Sequence, residues 1–281
     1  MKTFGGRQFW GDLCFREGWR IQRNVFTGEC RLLDSRDVCL ARGTQEHCQE
    51  YLQGLVPDGM NSSAGQTGVV LLHGILRSSK CFRPLSKRLE SAGFLVFPVD
   101  YPSTRITIEA AARQLQEVMC SLRELQTIHL VGHSMGGLVI RRWFGDYWSQ
   151  MNPEQFGRVV MLGTPNQGAE MADKLHRFPP FRLLFGPAGQ QLRTSAAVSP
   201  AALPIPSVPF GIIAGGRGGH TWGFNPLLPG DDDGTVTVAS TRLDGASDFL
   251  LVPTLHMGLM RYPVAMQAIV NFLDKGRFSD A

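Results

Sequence analysis

The sequence contains no apolar run long enough to cross a membrane. A transmembrane helix needs about 18 consecutive apolar residues, and no segment of this 281-residue chain approaches that length. Residues 1–20 also lack the apolar core of a secretory leader, because charged side chains interrupt them repeatedly. These absences exclude integral membrane association and predict a soluble, cytoplasmic protein.

Cysteines with the spacing of a metal or redox site are also missing. The six cysteines show no C-x-x-C motif, and a chain of this size folds without disulfides, so we expect reduced thiols. Cys39, His47 and Cys48 are close in sequence but lack a fourth ligand at zinc-finger spacing. We therefore expect no metal and no cofactor.

Positive charge is only slightly in excess. Lys and Arg number 28 against 24 Asp and Glu, and the basic residues near the N-terminus are interleaved with Trp10 and Trp19. No basic run is long enough to follow a phosphate backbone, which excludes a nucleic-acid partner. A hydrophobic fraction of 43% with 19% charged residues instead predicts a globular chain with a substantial core.

From residue 69 onward, short apolar runs alternate with segments of helical periodicity. This alternation predicts an α/β fold, with a mainly parallel sheet covered by helices on both faces. The predicted strands are 69–72, 94–99, 128–131, 159–162, 210–214 and 249–252. We expect a single domain over 1–281, in which residues 1–60 add an antiparallel hairpin, with Gly28 in its turn, and a helix near 45–55.

The most informative motif follows the third of these strands. The pentapeptide 132–136, Gly-His-Ser-Met-Gly, fits G-x-S-x-G, for which chance gives about 0.2 matches in a chain of this composition. A strand precedes it and a helix follows, which is the arrangement of a nucleophile elbow around Ser134. We expect a Cβ at position 132 or 136 to collide with a neighbouring strand or helix. The alternative is an ordinary glycine-rich turn.

A serine hydroxyl needs a base and an orienting acid to act as a nucleophile. Of the seven histidines, His256 lies four residues past the end of the last strand, at the sheet edge where catalytic groups gather. The acid is sought in the run Asp231-Asp232-Asp233, on the connection after strand 210–214. A solvated histidine and a solvated or cation-binding acidic loop are the alternatives.

Taken together, these motifs resemble the α/β-hydrolase superfamily, and specifically its lipase and esterase branch. The resemblance runs from 69 to about 275, some three quarters of the chain. It rests on the matching segments 73–75 (His-Gly-Ile), 132–137 (Gly-His-Ser-Met-Gly-Gly), 163–168 (Gly-Thr-Pro-Asn-Gln-Gly), 233–236 (Asp-Gly-Thr-Val) and 255–257 (Leu-His-Met). The chain order of serine, aspartate and histidine also agrees. The resemblance implies an α/β-hydrolase fold whose first antiparallel strands come from residues 1–60.

The resemblance also implies a role for each matching residue. Ser134 becomes the nucleophile and His256 the general base and acid of a catalytic triad. Asp233 becomes the triad acid, because it is the aspartate that precedes Gly-x-Val in similar enzymes. The backbone N–H groups of Ile75 and Met135 become the oxyanion hole.

Two further implications concern residues near the site. His73 is expected to be structural and not a base. Calcium-binding bacterial lipases carry an aspartate two residues after the catalytic histidine, where this sequence has Gly258. A calcium site is therefore not expected, and Asp231 and Asp232 are the residual argument for one.

Residues 169–209 break the alternating pattern with seven prolines and a cluster of apolar side chains. We interpret this block as a cap or lid over the site, because it follows the turn 163–165 at the sheet edge that also presents Ser134. The apolar residues that we predict to bind substrate are Phe178, Phe181, Leu184 and Phe185. The alternative is that they only pack the cap onto the core.

The sequence thus predicts a metal-independent serine hydrolase that cleaves carboxylic esters through an acyl-enzyme, with a small-molecule or lipid ester as substrate. An acyltransferase or thioesterase with the same triad is the first alternative, because the motifs do not encode the acceptor. A non-catalytic scaffold used for binding is the second. The sequence carries no signal for an oligomeric state.

Overall fold

The computed structural model describes residues 8–57, 65–175, 179–195, 199–219 and 221–279. An N-terminal antiparallel sheet has the strand order β1-β2-β3-β4, and the helix α1 (Gln45–Leu55) follows it. Its strands are β1 (Trp10–Arg16), β2 (Trp19–Asn24), β3 (Cys30–Leu33) and β4 (Cys39–Gly43). The predicted hairpin is present as β2 and β3, with Gly28 at a φ of 73°, and the predicted helix is α1. The sheet is larger than expected because β1 and β4 do not alternate cleanly between apolar and polar residues.

The second sheet has six parallel strands in the order β10-β9-β8-β7-β5-β6. They are β5 (Thr67–Leu72), β6 (Leu95–Val99), β7 (Thr127–His133), β8 (Phe156–Leu162), β9 (Phe210–Gly215) and β10 (Asp248–Val252). All six predicted strands are therefore present. The central strands are continuous apolar runs because both of their faces are covered.

Helices cover the parallel sheet on both faces. The helices α3 (Ile108–Ser121) and α4 (Met135–Tyr147) contribute to one buried apolar cluster. A second cluster contains residues of α2 (Arg83–Glu90) and α8 (Pro263–Lys275). Among the described residues, no helix is both long and apolar enough to cross a bilayer.

The N-terminal sheet is joined to the parallel sheet by a buried polar network. The Asp12 backbone N–H donates to Asp100 O at 2.8 Å, and the Asp100 N–H donates back to Asp12 Oδ2 at 2.6 Å. Arg20 lies 3.5 Å from the Asp12 carboxylate and 3.3 Å from that of Asp100. Asp12 and Asp100 are both fully buried. This network connects β1 to the carboxyl end of β6.

The predicted cap contains two helices in its described part, α5 (Glu170–Leu175) and α6 (Pro179–Gln191). Gly186, at a φ of 61°, interrupts α6 with a kink. The Gln191 side chain accepts a hydrogen bond from the Ile108 N–H at 2.7 Å, which attaches α6 to the start of α3. A short helix α7 (Val238–Thr241) precedes β10.

Candidate active site

Ser134 occupies the sharp turn between β7 and α4. Its φ of 54° and ψ of −123° lie in a region that non-glycine residues rarely adopt. The Ser134 N–H donates to Leu162 O at 2.8 Å, which fixes the turn against the end of β8. A backbone conformation of this kind costs about 1–3 kcal/mol and persists where the surrounding structure enforces it. The predicted elbow geometry is present.

The glycines on either side of Ser134 are required by close packing. A Cβ at Gly132 would lie 2.5 Å from the Gly137 nitrogen in α4, and one at Gly136 would lie 2.2 Å from Leu72 O in β5. Both expected collisions are confirmed. Gly137 is a third such position, which the motif did not identify, because its Cβ would lie 2.1 Å from Thr164 Oγ1.

His256 and Asp233 form a buried pair at the same sheet edge. The His256 Nδ1–H donates to Asp233 Oδ2 at 2.6 Å, and the His256 backbone N–H donates to Asp233 O at 2.8 Å. The other carboxylate oxygen, Oδ1, accepts the N–H groups of Thr235 and Val236 at 3.0 and 2.8 Å. Asp233 is therefore saturated with donors, and the Nε2 of His256 is left for another partner.

The other two aspartates of the run turn away from His256. The N–H groups of Arg217 and Gly218 donate to Asp231, and those of Asn225 and Gly234 donate to Asp232. Both carboxylates thus organise the backbone of the loop that carries Asp233. Within the described ranges, no three His, Cys, Asp or Glu side chains are grouped so that they could hold a metal ion.

Ser134 and His256 both lie near the end of β8. Leu162 accepts the Ser134 N–H, and a Cβ on the next residue, Gly163, would lie 3.1 Å from His256 Nδ1. No hydrogen bond links Ser134 Oγ to His256 in the described part of the chain. Such bonds are often long without substrate and shorten in the reacting complex.

Two backbone N–H groups beside Ser134 have no acceptor among the residues that the structure describes. A Cβ on Gly74 would lie 3.0 Å from Ser134 Cβ, so the turn after β5 lies against the elbow. Neither the Ile75 N–H nor the Met135 N–H donates to any described residue. Met135 begins α4, where unsatisfied N–H groups and the helix dipole favour negative charge. The two predicted oxyanion donors thus lie on adjoining turns.

His73 orients the turn that contains Ile75. Its Nδ1–H donates to Gly74 O at 2.8 Å, and its Nε2 accepts the Tyr101 N–H at 3.4 Å. The ring stacks on Tyr101 with centroids 4.3 Å apart. Burial lowers the pKa of His73, which keeps the ring neutral. With both nitrogens occupied, His73 has no free lone pair with which to act as a base.

His133 is a site residue that the sequence did not single out. Its Nε2–H donates to His256 O at 3.1 Å, and the two imidazole rings lie with centroids 4.7 Å apart. Burial lowers the pKa of His133 well below its ordinary value, so the His133 ring beside His256 is neutral. Only the three-dimensional approach of the elbow to the 256 loop shows this contact.

Helix α6, in the predicted cap, lies near the Ile75 side chain. A Cβ on Gly189 in α6 would lie 3.7 Å from Ile75 Cδ1. Of the predicted substrate-binding residues, Leu184 is 54% exposed, whereas Phe185 is half-buried against the main core cluster. Phe178 and the Phe181 side chain lie outside the described residues.

Comparison with protein families gives one match that covers most of the chain. Residues 69–273 match the model of the alpha/beta hydrolase family. This range contains every residue of the candidate site.

Two curated proteins are similar to parts of the chain. Methylesterase 3 of Arabidopsis thaliana is 27% identical over 128 residues, 42% of this chain and 49% of that protein. A triacylglycerol lipase of Pseudomonas fragi is 32% identical over 124 residues, 41% of this chain and 40% of that protein. The chain thus matches less than half the length of each of these relatives.

Solved structures agree on the fold. The mature form of the Bacillus licheniformis lipase BlEst2 is 18% identical, with a TM-score of 0.55 over 76% of this chain and 92% of that one. The lin2722 gene product of Listeria innocua is 17% identical, with a TM-score of 0.53 over 75% and 94%. At these identities the similarity shows the fold alone.

Proposed function

Because the chain belongs to the alpha/beta hydrolase family, we propose that it hydrolyses carboxylic esters through an acyl-enzyme on Ser134. The observation that carries this proposal is the buried His256–Asp233 pair, 2.6 Å between Nδ1 and Oδ2, next to a serine in an elbow conformation. The similarity to a methylesterase and a lipase supports an ester substrate.

Acylation begins with the Ser134 hydroxyl. His256 Nε2 takes its proton while Oγ attacks the ester carbonyl, and Asp233 stabilises the imidazolium through the Nδ1–H bond. The developing oxyanion accepts the N–H groups of Ile75 and Met135, which have no acceptor among the described residues. His256 then returns its proton to the alkoxide, and the alcohol leaves from an acyl-enzyme.

Deacylation repeats the sequence with water. His256 Nε2 takes a proton from water, whose oxygen attacks the acyl carbonyl, and the same two N–H groups bind the second oxyanion. The imidazolium then protonates Ser134 Oγ as the acid is released. An alcohol or a thiol acceptor would turn the same steps into acyl transfer.

The cap supports a substrate with an apolar acyl chain. Phe185 and the Ile75 side chain both approach Gly189 of α6, because a Cβ there would lie 2.5 Å from Phe185 Cβ and 3.7 Å from Ile75 Cδ1, and both pack against the same apolar cluster. We propose that this surface, with Leu184 and the predicted Phe178 and Phe181, receives the acyl chain.

The six cysteines are free thiols, which supports the cytoplasmic location that we propose.

Covalent labelling tests the proposed nucleophile. A fluorophosphonate should label the wild-type chain at Ser134 and should not label Ser134→Ala. Ser149, an exposed serine after α4, provides the matched control, and Ser149→Ala should label like the wild type. A labelled peptide that lacks Ser134 would contradict the assignment.

Product analysis tests the reaction class. With p-nitrophenyl butyrate as substrate, the wild type should release butyric acid, and Ser134→Ala should lose about 10⁶ in kcat. Added short-chain alcohols show whether water is the preferred acceptor. An ester product that exceeds the acid would indicate an acyltransferase, and absence of both products and label would indicate a scaffold.

A further inference from the structure

The oxyanion turn, residues 74–77, is held by a residue that lies outside the family match. Gln8 precedes β1, whereas the match covers residues 69–273. We propose that Gln8 is a positioning residue that fixes the Ile75 N–H in the oxyanion hole. This inference rests on the proposed function, because it gives the N-terminal segment a role in the same reaction.

The Gln8 amide joins two loops at the carboxyl edge of the parallel sheet. Its Oε1 accepts from the Thr104 N–H at 2.8 Å, from Thr104 Oγ1 at 2.7 Å and from Ser103 Oγ at 3.3 Å. Its Nε2 donates to Arg77 O at 3.1 Å. One side chain therefore links the loop after β6 to the last residue of the oxyanion turn.

Ser103 extends this linkage to the residue next to Ile75. Ser103 is fully buried, and its Oγ accepts the Leu76 N–H at 3.1 Å while its own proton points to Gln8. The oxyanion turn is thus held at Leu76 through Ser103 and at Arg77 directly.

The turn needs this support because it is both strained and exposed. Leu76 has a φ of 61° and is 38% exposed. A non-glycine residue keeps a left-handed conformation only when its neighbours enforce it. Within the turn, the Arg77 N–H donates to Gly74 O at 3.3 Å. Gly74 O and the Ile75 N–H belong to the same peptide group, so this hydrogen bond ties the orientation of the Ile75 N–H to the position of Arg77. Without Gln8, the Leu76 and Arg77 peptides lose shared anchors. The bonds to Gly74 O from His73 Nδ1–H and the Arg77 N–H remain, so the Ile75 N–H shifts relative to the oxyanion but is not released.

The expected consequence is a defect in the transition state and not in substrate binding. Removal of a whole oxyanion donor costs about 10²–10³ in kcat. A donor that is present but misaligned should cost less, so we expect Gln8→Ala to lower kcat about tenfold while KM changes less than about twofold.

The test uses the full chain and p-nitrophenyl acetate, with active sites counted by fluorophosphonate titration. Asn24→Ala is the matched control. Asn24 also has an amide side chain in the N-terminal sheet, but its Oδ1 accepts the nearby N–H groups of Phe26 and Thr27 in the β2–β3 turn. Asn24→Ala should keep the wild-type kcat. A trifluoromethyl ketone, which forms an oxyanion on Ser134, should bind Gln8→Ala about tenfold more weakly, whereas an uncharged amide analogue should bind equally to both.

Two further variants separate positioning from general stability. Gln8→Glu keeps acceptors for Ser103 and Thr104 but loses the donor to Arg77 O, so it should recover only part of kcat. Ser103→Ala breaks the same path, so the double variant with Gln8→Ala should lose less than the product of the two single losses. If Gln8→Ala does not fold, Ser103→Ala and Gln8→Glu still give the kcat and ketone readings.

The proposal is overturned if Gln8→Ala keeps kcat within twofold, if KM rises instead, or if the ketone and the amide weaken together. Failure of the proposed function has a different signature, because either Ser134→Ala would then retain ester hydrolysis or the wild type would show neither hydrolysis nor label. The Gln8 proposal is also overturned if the loss of kcat in the double variant equals the product of the losses in Gln8→Ala and Ser103→Ala.

Discussion

Replacement of Gly163 by alanine should separate backbone strain from displacement of the His256 imidazole, the proposed general base. Gly163 has a φ of 54°, and a Cβ there would lie 3.1 Å from His256 Nδ1 and Cε1 and 2.7 Å from Leu259 Cδ1. Carbon contacts of this length are too short for unperturbed packing, so the imidazole ring must retreat by a few tenths of an ångström. Leu259 must move as well.

The two effects have different magnitudes. A left-handed alanine costs about 1–2 kcal/mol of unfolding free energy, which lowers Tm by about 2–8 °C in a chain of this size. A misplacement of about 1 Å at a catalytic group costs about 10²-fold in rate. A shift of a few tenths of an ångström at His256 should therefore lower kcat about tenfold, with little change in KM.

Gly28 provides the matched control. It has a similar φ of 73° in the β2–β3 turn, and a Cβ there would have no neighbour within 4 Å. Gly28→Ala should lower Tm by the backbone strain alone and leave kcat unchanged, whereas Gly163→Ala should lower Tm further because Leu259 must also move. Thermal denaturation and steady-state ester hydrolysis, measured on both variants, check this. Equal kcat in both variants would refute the placement of His256 against Gly163.

Further predictions concern the acid, the cap and pH. Asp233→Asn should lose about 10⁴ in kcat and keep its fold, whereas Asp231→Asn should lose less than tenfold; a larger loss at Asp231 would move the triad acid. Across p-nitrophenyl esters from acetyl to dodecanoyl, kcat/KM should rise by up to about fourfold per methylene, since each methylene contributes at most about 0.8 kcal/mol. Phe185→Ala should flatten this dependence on acyl length. An unchanged dependence in Phe185→Ala would mean that the cap only packs on the core. Burial raises the pKa of Asp12 from 3.8 to about 7. Between these pH values the folded protein therefore retains a proton on Asp12 that the unfolded chain has lost. The unfolding free energy should therefore fall as the pH rises from about 4 to 7, and fall less in Asp12→Asn; parallel denaturation curves against pH would contradict this.

Much of the fold followed from local patterns. The four central parallel strands, β5, β7, β8 and β9, are apolar runs because they are buried on both faces, and such runs can be identified from neighbouring residues alone. β1 was missed because its buried residue Asp12 is satisfied by Asp100, 88 positions away, and a buried carboxylate gives a strand no apolar signature.

The elbow was the part of the site that local sequence could specify. Gly132 and Gly136 are adjacent to Ser134 in the chain, and the collisions that exclude side chains there follow from the strand-turn-helix geometry itself. The family resemblance supplied the choice of Asp233 over Asp231, which no feature of the acidic run alone could make.

What the amino-acid sequence by itself determined is the order of strands and helices, the position of Ser134 in a turn and the chain order of the proposed triad. Tertiary structure alone decided which N–H groups beside Ser134 lack an acceptor in the described part of the chain, and that His133 and Gln8 reach the elements of the site. The physical reason is the range of the interactions. Periodicity and glycine placement act within a few residues, whereas Gln8 reaches Thr104 across 96 positions, and a hydrogen bond of that range exists only after the chain has packed.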